Sequence, residues 1–146
     1  MSLNQPFYMY QQPMFAITVS MVLVVDNGVL VLKEDDKYKF PGGMVKAGIE
    51  TVQFAAVRMV KEYVGIALKK ETLIPVDFRS DPERSKEGNV VDIGFLCIME
   101  KNSNTKNDIQ WIEVDFEKRQ AVDKIKFYSD HEILLERAIE IIAMMK

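Results

Sequence analysis

The stretch from Phe40 to Ile66 constrains the fold more than any other part of the chain. It opens with Pro41-Gly42-Gly43, which favours a tight turn because glycine tolerates positive φ angles. Apolar residues then recur at three- and four-residue intervals, which predicts an amphipathic helix over 51–64. Gly65 suits the position just beyond the end of that helix. Strand-like runs flank the stretch, so we expect a loop–helix unit inserted into a sheet, with its helix buried at Val52, Ala56 and Val60.

The spacing of residues in this stretch resembles the Nudix box. In that box a glycine, five residues, a glutamate and seven residues precede Arg-Glu-aliphatic-x-Glu-Glu-x-Gly-aliphatic. Three positions depart from it: six residues separate Gly43 from Glu50, Met59 replaces the first helix glutamate, and Tyr63 replaces the last. The residues in register are Glu50, Arg58, Val60, Glu62, Gly65 and Ile66.

The resemblance implies an α/β fold of the α+β type, a Nudix-like α/β/α sandwich with a mixed β-sheet. The order of strand and helix patterns along the chain agrees with such a layered fold. The length of 146 residues suggests one domain. We assign residues 1–13 to an N-terminal arm and residues 14–146 to a single Nudix-like domain.

Positions 59, 62 and 63 are one helical turn apart, so their side chains share a face. In the Nudix family, glutamates there hold Mg²⁺ or Mn²⁺, which prefer hard oxygen ligands, and the metal binds a diphosphate and activates water. This sequence retains Glu62. The resemblance therefore implies metal contacts from Glu62 and the backbone of Gly43. It implies catalytic roles for Glu62, Glu50 and Arg58. The last two are expected to form an ion pair that braces the loop against the helix; the alternative is two independent surface charges.

Further contacts to the substrate are implied at the loop, the helix end and a later charged loop. The glycines would present backbone groups to phosphate, and Tyr63 would stack on a base or hydrogen-bond a phosphate. The substrate-binding candidates are Gly42, Gly43, Tyr63 and Arg84.

Later segments resemble the ADP-ribose pyrophosphatase branch of the family. RSDPERSKEGNVVDIGFLC resembles its Asp-Pro-x-Arg loop and following strand, DIQWIEVD its tryptophan strand, and FYSDHEILLERA its terminal helix. That branch includes hydrolases and also Nudix domains of regulators of NAD metabolism, whose extra DNA-binding domain we do not expect in a chain of this length. Members of the branch are usually dimeric, so we expect a homodimer, with an aromatic patch in the arm at Phe7, Tyr8 and Tyr10.

Composition excludes several other classes of protein. The net charge of −3 argues against non-specific binding to a nucleic-acid backbone. The apolar run from Met14 to Val25 is too short to span a bilayer, and the N-terminus lacks the pattern of a signal peptide. The single cysteine, Cys97, excludes an intrachain disulfide and fits a reducing compartment. We therefore expect a cytoplasmic protein that binds neither membrane nor nucleic acid.

The remaining elements follow from apolar periodicity and turn residues. Asp26-Asn27-Gly28 predicts a two-residue hairpin. Ser129 and Glu132 fit a capping box at the start of the last helix. Strands are predicted at 15–25, 29–33, 73–79, 89–100 and 109–114, and a C-terminal helical stripe at Ile133, Leu134, Arg137, Ala138, Ile141 and Ile142.

Several other residues allow both a structural and a functional interpretation. His131 is a possible general base, but its place in a helix's first turn favours a structural role. Trp111 is expected to be a core residue, and stacking on an adenine is the second interpretation. Met59 and Tyr63 are either packing residues or, for Tyr63, ligand contacts. The remaining carboxylates that are candidates for completing a site are Asp81, Glu83 and Glu87 in the charged loop and Glu113 in a strand.

Two functions follow. The first is a metal-dependent Nudix-type hydrolase that cleaves the pyrophosphate of a nucleoside diphosphate linked to another moiety, with ADP-ribose-like substrates favoured by the resemblance. The alternative is a catalytically impaired Nudix-fold domain that binds a nucleotide without hydrolysing it. The box itself separates them, because it keeps one helix carboxylate where the family has three.

Overall fold

A single mixed sheet organises the computed structural model, which describes residues 15–86, 88–100 and 109–145. The N-terminal arm at 1–13, Glu87 and the polar turn at 101–107 lie outside the described residues. The strands are β1 (Ala16–Val25), β2 (Gly28–Glu34), β3 (Lys37–Lys39), β4 (Gly42–Met44), β5 (Ile74–Arg79), β6 (Val90–Ile98), β7 (Ile109–Asp115) and β8 (Gln120–Ala121). The helices are α1 (Val52–Tyr63), a 3₁₀ turn (Lys70–Thr72) and α2 (His131–Met144).

Strand β1 lies at the centre of the sheet, in the order β5-β6-β1-β2-β7-β8. Along one edge it runs parallel to β6, from the pair Ala16 and Val90 to the pair Val24 and Ile98. Its other edge is divided, because β4 pairs with its first half and β2 with its last two residues, both antiparallel. This division places the glycines of β4 beside the middle of the sheet.

The two helices cover opposite faces of the sheet. Val19, Met21 and Leu23 point to the face covered by α1, whereas Val22 and Val24 point to the face covered by α2. The apolar residues of β1 from Met21 to Val24 are buried on both faces of the sheet. The predicted α/β/α sandwich with a mixed sheet is therefore confirmed.

Helix α1 forms where the sequence predicted it. The Thr51 side chain accepts a hydrogen bond from the Phe54 backbone N–H, which caps the first turn. Gly65 adopts φ of 87° just after the helix, where its N–H bonds to the Lys61 carbonyl. Ala56 and Val60 are buried as predicted. Val52 was predicted to be buried but is half-buried, because the first turn lies at the rim of the core.

The predicted capping box at the last helix is wrong. Helix α2 begins at His131 after Asp130, and Ser129 has a φ of 52° and donates its hydroxyl proton to the Arg84 carbonyl at 2.6 Å. The predicted stripe also missed Leu135 and Ile139, which are buried, and included Ile133, which is exposed.

Trp111 was predicted to be a core residue, and this is wrong. It is 38% exposed on β7, the strand between β2 and the short edge strand β8. The predicted hairpin at Asp26-Asn27-Gly28 is confirmed: β1 and β2 join across it, with Asp26 at φ of 53°. Within the described residues, no helix has the length and hydrophobicity needed to cross a bilayer.

Candidate active site

An ion pair joins the box loop to helix α1. Arg58 Nε donates to Glu50 Oε2 at 2.9 Å and Arg58 Nη2 to Glu50 Oε1 at 2.7 Å. This two-point geometry is the strongest form of a carboxylate–guanidinium contact. Glu50 also accepts from the Lys46 backbone N–H at 2.9 Å, and Arg58 donates to the Met44 carbonyl at 3.2 Å. The predicted pairing of Glu50 with Arg58 is thus present and shapes the loop.

Hydrogen bonding from Arg58 and from the Lys46 backbone lowers the pKa of Glu50 from 4.5 to about 2. The same contact raises the pKa of Arg58. Both groups are therefore charged at neutral pH, and their attraction holds the loop in place.

Glu62 lies one turn further along α1, and its side chain is 51% exposed. Its Oε2 accepts from Arg58 Nη1 at 3.3 Å, so the carboxylate extends the ion pair rather than standing apart from it. Tyr63, the last residue of the helix, is 52% exposed.

Close approaches on two sides of the loop require glycine at position 42 and leave little space beside Gly43. A Cβ atom on Gly42 would lie 2.0 Å from the Val19 carbonyl oxygen, so any side chain there would collide with β1. A Cβ atom on Gly43 would lie 3.2 Å from Met59 Sδ. Met59 is 2% exposed and belongs to the core under α1. The thioether therefore fills the space between the helix and the glycine loop.

The donor set around the box does not fit a resident divalent cation. Mg²⁺ takes about six oxygen ligands in near-octahedral geometry. At the three family positions this chain offers one carboxylate, Glu62, together with the buried sulfur of Met59, a soft ligand. Among residues 15–86, 88–100 and 109–145, no group of three or more His, Cys, Asp or Glu side chains is placed to hold a metal.

A cavity of about 790 Å³ opens beside the glycine loop. Its walls are β3, β4, the start of β1 and β6, the charged loop after β5, and the start of α2. Of the predicted site residues, Gly42, Gly43 and Arg84 line it, whereas Glu50, Arg58, Glu62 and Tyr63 are not among its described lining residues. The lining residues that sequence reasoning missed include Lys37, Lys39, Lys86, Asp92 and Tyr128.

Arg84 forms an ion pair with Asp130 at the wall of this cavity. Its Nε and Nη2 donate to the two Asp130 carboxylate oxygens at 2.8 and 2.9 Å, and its side chain is 7% exposed. These hydrogen bonds raise the pKa of Arg84. Arg84 therefore holds the charged loop against α2. In the same loop, Asp81 caps the turn by accepting from the Glu83 backbone N–H at 2.9 Å.

A buried charge network continues below Arg84. Arg79, with a side chain 5% exposed, contacts Asp92, Asp130 and Asp77. Thr18 adds a hydrogen bond to Asp92 at 2.5 Å. Charges removed from water persist when they are paired and hydrogen-bonded. The network ties β1, β5, β6 and α2 together beneath the cavity.

His131 has the structural role expected of it. Its Nδ1 accepts from the Phe40 backbone N–H at 3.0 Å, and its ring stacks on Phe40 with centroids 5.6 Å apart. Burial lowers the pKa of His131 from 6.5 to about 4, and the imidazole is therefore neutral at pH 7. The histidine anchors the residue that precedes Pro41 and the glycines. Glu113 is exposed on β7 and is not among the cavity's described lining residues.

Comparison with known proteins assigns this architecture. The family model described as NUDIX domain matches residues 14–141. An ADP-ribose pyrophosphatase of Methanocaldococcus jannaschii is 34% identical over 95 residues, which cover 62% of this chain. The match spans 53%, about half, of that relative's own length.

Solved structures share the fold at low sequence identity. A MutT/nudix family protein from Enterococcus faecalis matches with a TM-score of 0.74 at 19% identity, covering 98% of this chain and 70% of the other. The NUDIX domain of Shewanella oneidensis NrtR, solved in complex with ADP ribose, matches with a TM-score of 0.71 at 16% identity. That match covers 94% of this chain and 98% of the other.

Proposed function

The chain belongs to the family of NUDIX domains, and from this premise we propose that it is a Nudix-type hydrolase. In the proposed reaction, water adds to one phosphorus of a nucleoside diphosphate linked to another moiety. The bond from that phosphorus to the bridging oxygen breaks, and two phosphomonoesters leave. The observation that carries the proposal is the positively charged cavity beside the glycine loop of the box.

ADP-ribose-like compounds are the proposed substrates. The relative from M. jannaschii is an ADP-ribose pyrophosphatase, and the S. oneidensis domain was solved with ADP ribose. The cavity volume of about 790 Å³ lies in the range of pockets that hold small ligands, roughly 300–1,000 Å³. Its lysines suit the negative charge of a diphosphate.

Each predicted site residue has a place in this proposal. Glu50 and Arg58 fix the loop, as their two-point ion pair supports. Gly42 and Gly43 present backbone at the cavity, and Arg84 holds the opposite wall. Glu62, which also pairs with Arg58, is the helix carboxylate at the family's metal-ligand positions, with Gly43 as the backbone partner. These two protein ligands are fewer than the six that Mg²⁺ takes, so a metal bound here would complete its coordination with water and with oxygens of the diphosphate.

The second candidate is nucleotide binding without hydrolysis, and Met59 favours it. Its side chain is buried against Gly43 where the family places a glutamate. Loss of a positioned base typically costs about 10²–10⁴ in rate, and loss of a metal ligand adds to that cost. A domain with this helix would keep the cavity and lose turnover.

A hydrolysis screen separates the two candidates. ADP-ribose, dinucleotides, nucleotide sugars and nucleoside triphosphates are incubated with Mg²⁺ or Mn²⁺, and binding of each is measured in parallel. The hydrolase proposal expects turnover of ADP-ribose that falls about 10²-fold or more in Glu62→Gln and is unchanged in Glu71→Gln, an exposed control. Binding without turnover supports the second candidate, and neither binding nor turnover contradicts both.

Repair of the box gives an independent test. Met59→Glu together with Tyr63→Glu restores the family's three carboxylates, so this variant should hydrolyse ADP-ribose faster than the parent in Mg²⁺. Adding Glu62→Gln should remove the gain. An unchanged rate in the repaired variant, with ADP-ribose still bound, would show that the glycine loop, with its additional residue before Glu50, does not place a metal correctly.

We also propose a cytoplasmic homodimer. Cys97 is buried and unpaired, as in a reducing compartment. Phe15 is 53% exposed and Ile17 39% exposed at the start of β1, an apolar surface next to the aromatic arm of the sequence. Light scattering at micromolar concentration tests the dimer, and a monomer mass contradicts it.

A further inference from the structure

The charged side chains that line the cavity differ in whether they already have an oppositely charged partner. Asp92 is buried and neutralised by Arg79 and Thr18. Arg84 is paired with Asp130. Three further cations, Lys37, Lys39 and Lys86, face one further anion, the exposed Glu83. The cavity therefore carries an excess of positive charge in a chain whose net charge is −3.

The lysines come from two parts of the chain, β3 and the charged loop after β5. Lys37 and Lys39 alternate along β3, so both project to the same side of the strand. The strand is held through Tyr38, whose N–H bonds to the Lys126 carbonyl at 2.8 Å and whose carbonyl accepts from the Tyr128 N–H at 2.7 Å. These two hydrogen bonds hold β3 against the segment that precedes α2.

Lys86 belongs to the charged loop, which the Arg84–Asp130 pair and the Ser129 hydroxyl fasten to α2. In the described part of the chain, no ion pair joins Lys37 or Lys86 to a carboxylate. Lys39 contacts Glu34 at 2.7 Å, but both side chains are partly exposed at 34% and 54%. Exposed pairs are weak, so a doubly charged diphosphate competes well for Lys39.

The Nudix-box residues provide fewer binding contacts for a diphosphate than these lysines do. Met59 fills the space next to Gly43, and no described cluster of acidic side chains is placed for a cation. Lysine ammonium groups bind phosphate as point charges without a metal. We propose that Lys37, Lys39 and Lys86 bind the diphosphate of the ligand directly, so that nucleotide binding does not require a divalent cation. This inference rests on the proposed function, because it takes the ligand to be a diphosphate-linked nucleotide.

Calorimetric titration of the full chain with ADP-ribose and with inorganic pyrophosphate, each in EDTA and in Mg²⁺, tests the inference. We expect the Kd for ADP-ribose to change less than about threefold between the two buffers. Lys37→Gln and Lys86→Gln should each weaken binding about tenfold, as loss of one charged contact does. Lys118→Gln, an exposed lysine outside the cavity, is the matched control and should bind as the parent does.

The outcomes separate the inference from the proposed function. Binding that needs Mg²⁺ and is insensitive to the lysine substitutions overturns the inference and leaves nucleotide binding intact. Binding of pyrophosphate in EDTA, weakened by the lysine substitutions, supports the inference even if ADP-ribose does not bind, and then the proposed substrate class fails instead. Absence of binding by either compound in both buffers overturns both. Melting curves of each variant confirm that these exposed or half-buried substitutions leave the fold intact.

Discussion

The sulfur of Met59 lies 3.2 Å from the point that a Cβ atom on Gly43 would occupy. Helix α1 and the glycine loop thus meet through an apolar contact at the position where the family has a carboxylate. The contact is part of the core, which includes Val19, Met21 and Phe95. A packing function has replaced a ligand function at this point of the box.

Met59→Glu should therefore destabilise the fold. In the described part of the chain, the buried cluster around Met59 contains no cationic side chain that could pair with a carboxylate at this position, which is 2% exposed. We therefore expect a loss on the order of 3 kcal/mol at neutral pH. Urea unfolding measures it, and Gln53→Glu, on the exposed face of the same helix, is the control and should change little. Millimolar Mg²⁺ should recover part of the loss if the new carboxylate binds it. A stability equal to that of the parent without metal would mean that position 59 is open to water.

Glu50→Gln should reduce stability in a pH-dependent way. The pKa of Glu50 is lowered in the folded state from 4.5 to about 2 by Arg58 and the Lys46 backbone. The ionised carboxylate therefore stabilises the fold above about pH 4.5, and this contribution is lost as the pH falls towards about 2. Melting temperatures of the two proteins should differ near neutral pH and converge over that acid range. A constant difference across the range would contradict the ion pair's role.

Arg79→Met should be among the most destabilising single changes. It leaves the carboxylates of Asp77, Asp92 and Asp130 without a shared buried partner, and breaking such a buried pair typically costs about 3–5 kcal/mol. Arg119→Met removes an exposed pair with Glu140 and should cost no more than about 1 kcal/mol. Similar losses in the two variants, measured by denaturant unfolding, would show that the network contributes no more than a surface contact.

His131→Asn should flatten the stability profile at mildly acid pH. The pKa of His131 is lowered in the folded state to about 4 by burial, with Arg79 and Arg84 adding to the effect and Asp92 and Asp130 opposing it. The unfolded chain therefore binds more protons between about pH 4 and 6.5, and stability falls as the pH decreases through that window. Because the chain has one histidine, the variant removes this titration completely. Asparagine keeps an acceptor for the Phe40 N–H. An unchanged slope would assign the acid loss to carboxylates.

The sequence predicted the elements whose periodicity is local. The spacing of Ala56 and Val60, with Gly65 beyond them, indicated α1, and the apolar, β-branched composition of 15–25 indicated the buried strand β1. The capping box failed because Ser129 uses its hydroxyl for Arg84, a partner 45 positions away that only the folded chain brings near. Propensity describes neighbours in sequence, and this contact is set by tertiary structure.

The candidate site was predicted only in part, because some of its contacts follow from local spacing and others depend on tertiary structure. The register of Glu50 and Arg58 in the box indicated their ion pair. The ion pair between Arg84 and Asp130 depends on how the charged loop packs against α2. The spacing of residues in the sequence does not determine that packing. Lys37 and Lys39 carry one local signal, their alternation in β3, but that signal does not reveal that the strand borders a cavity.

The parallel pairing of β1 with β6 has a consequence for folding of the chain during its synthesis on the ribosome. Thr18 and Asp92 are hydrogen-bonded partners separated by 74 positions, so closing this pair requires most of the chain. Parallel, non-local pairings of this kind form slowly. Until Val90–Ile98 has been synthesised, one long edge of an apolar strand has no partner and can recruit another nascent chain. The order of synthesis thus leaves the apolar strand β1 without its parallel partner until β6 has been made.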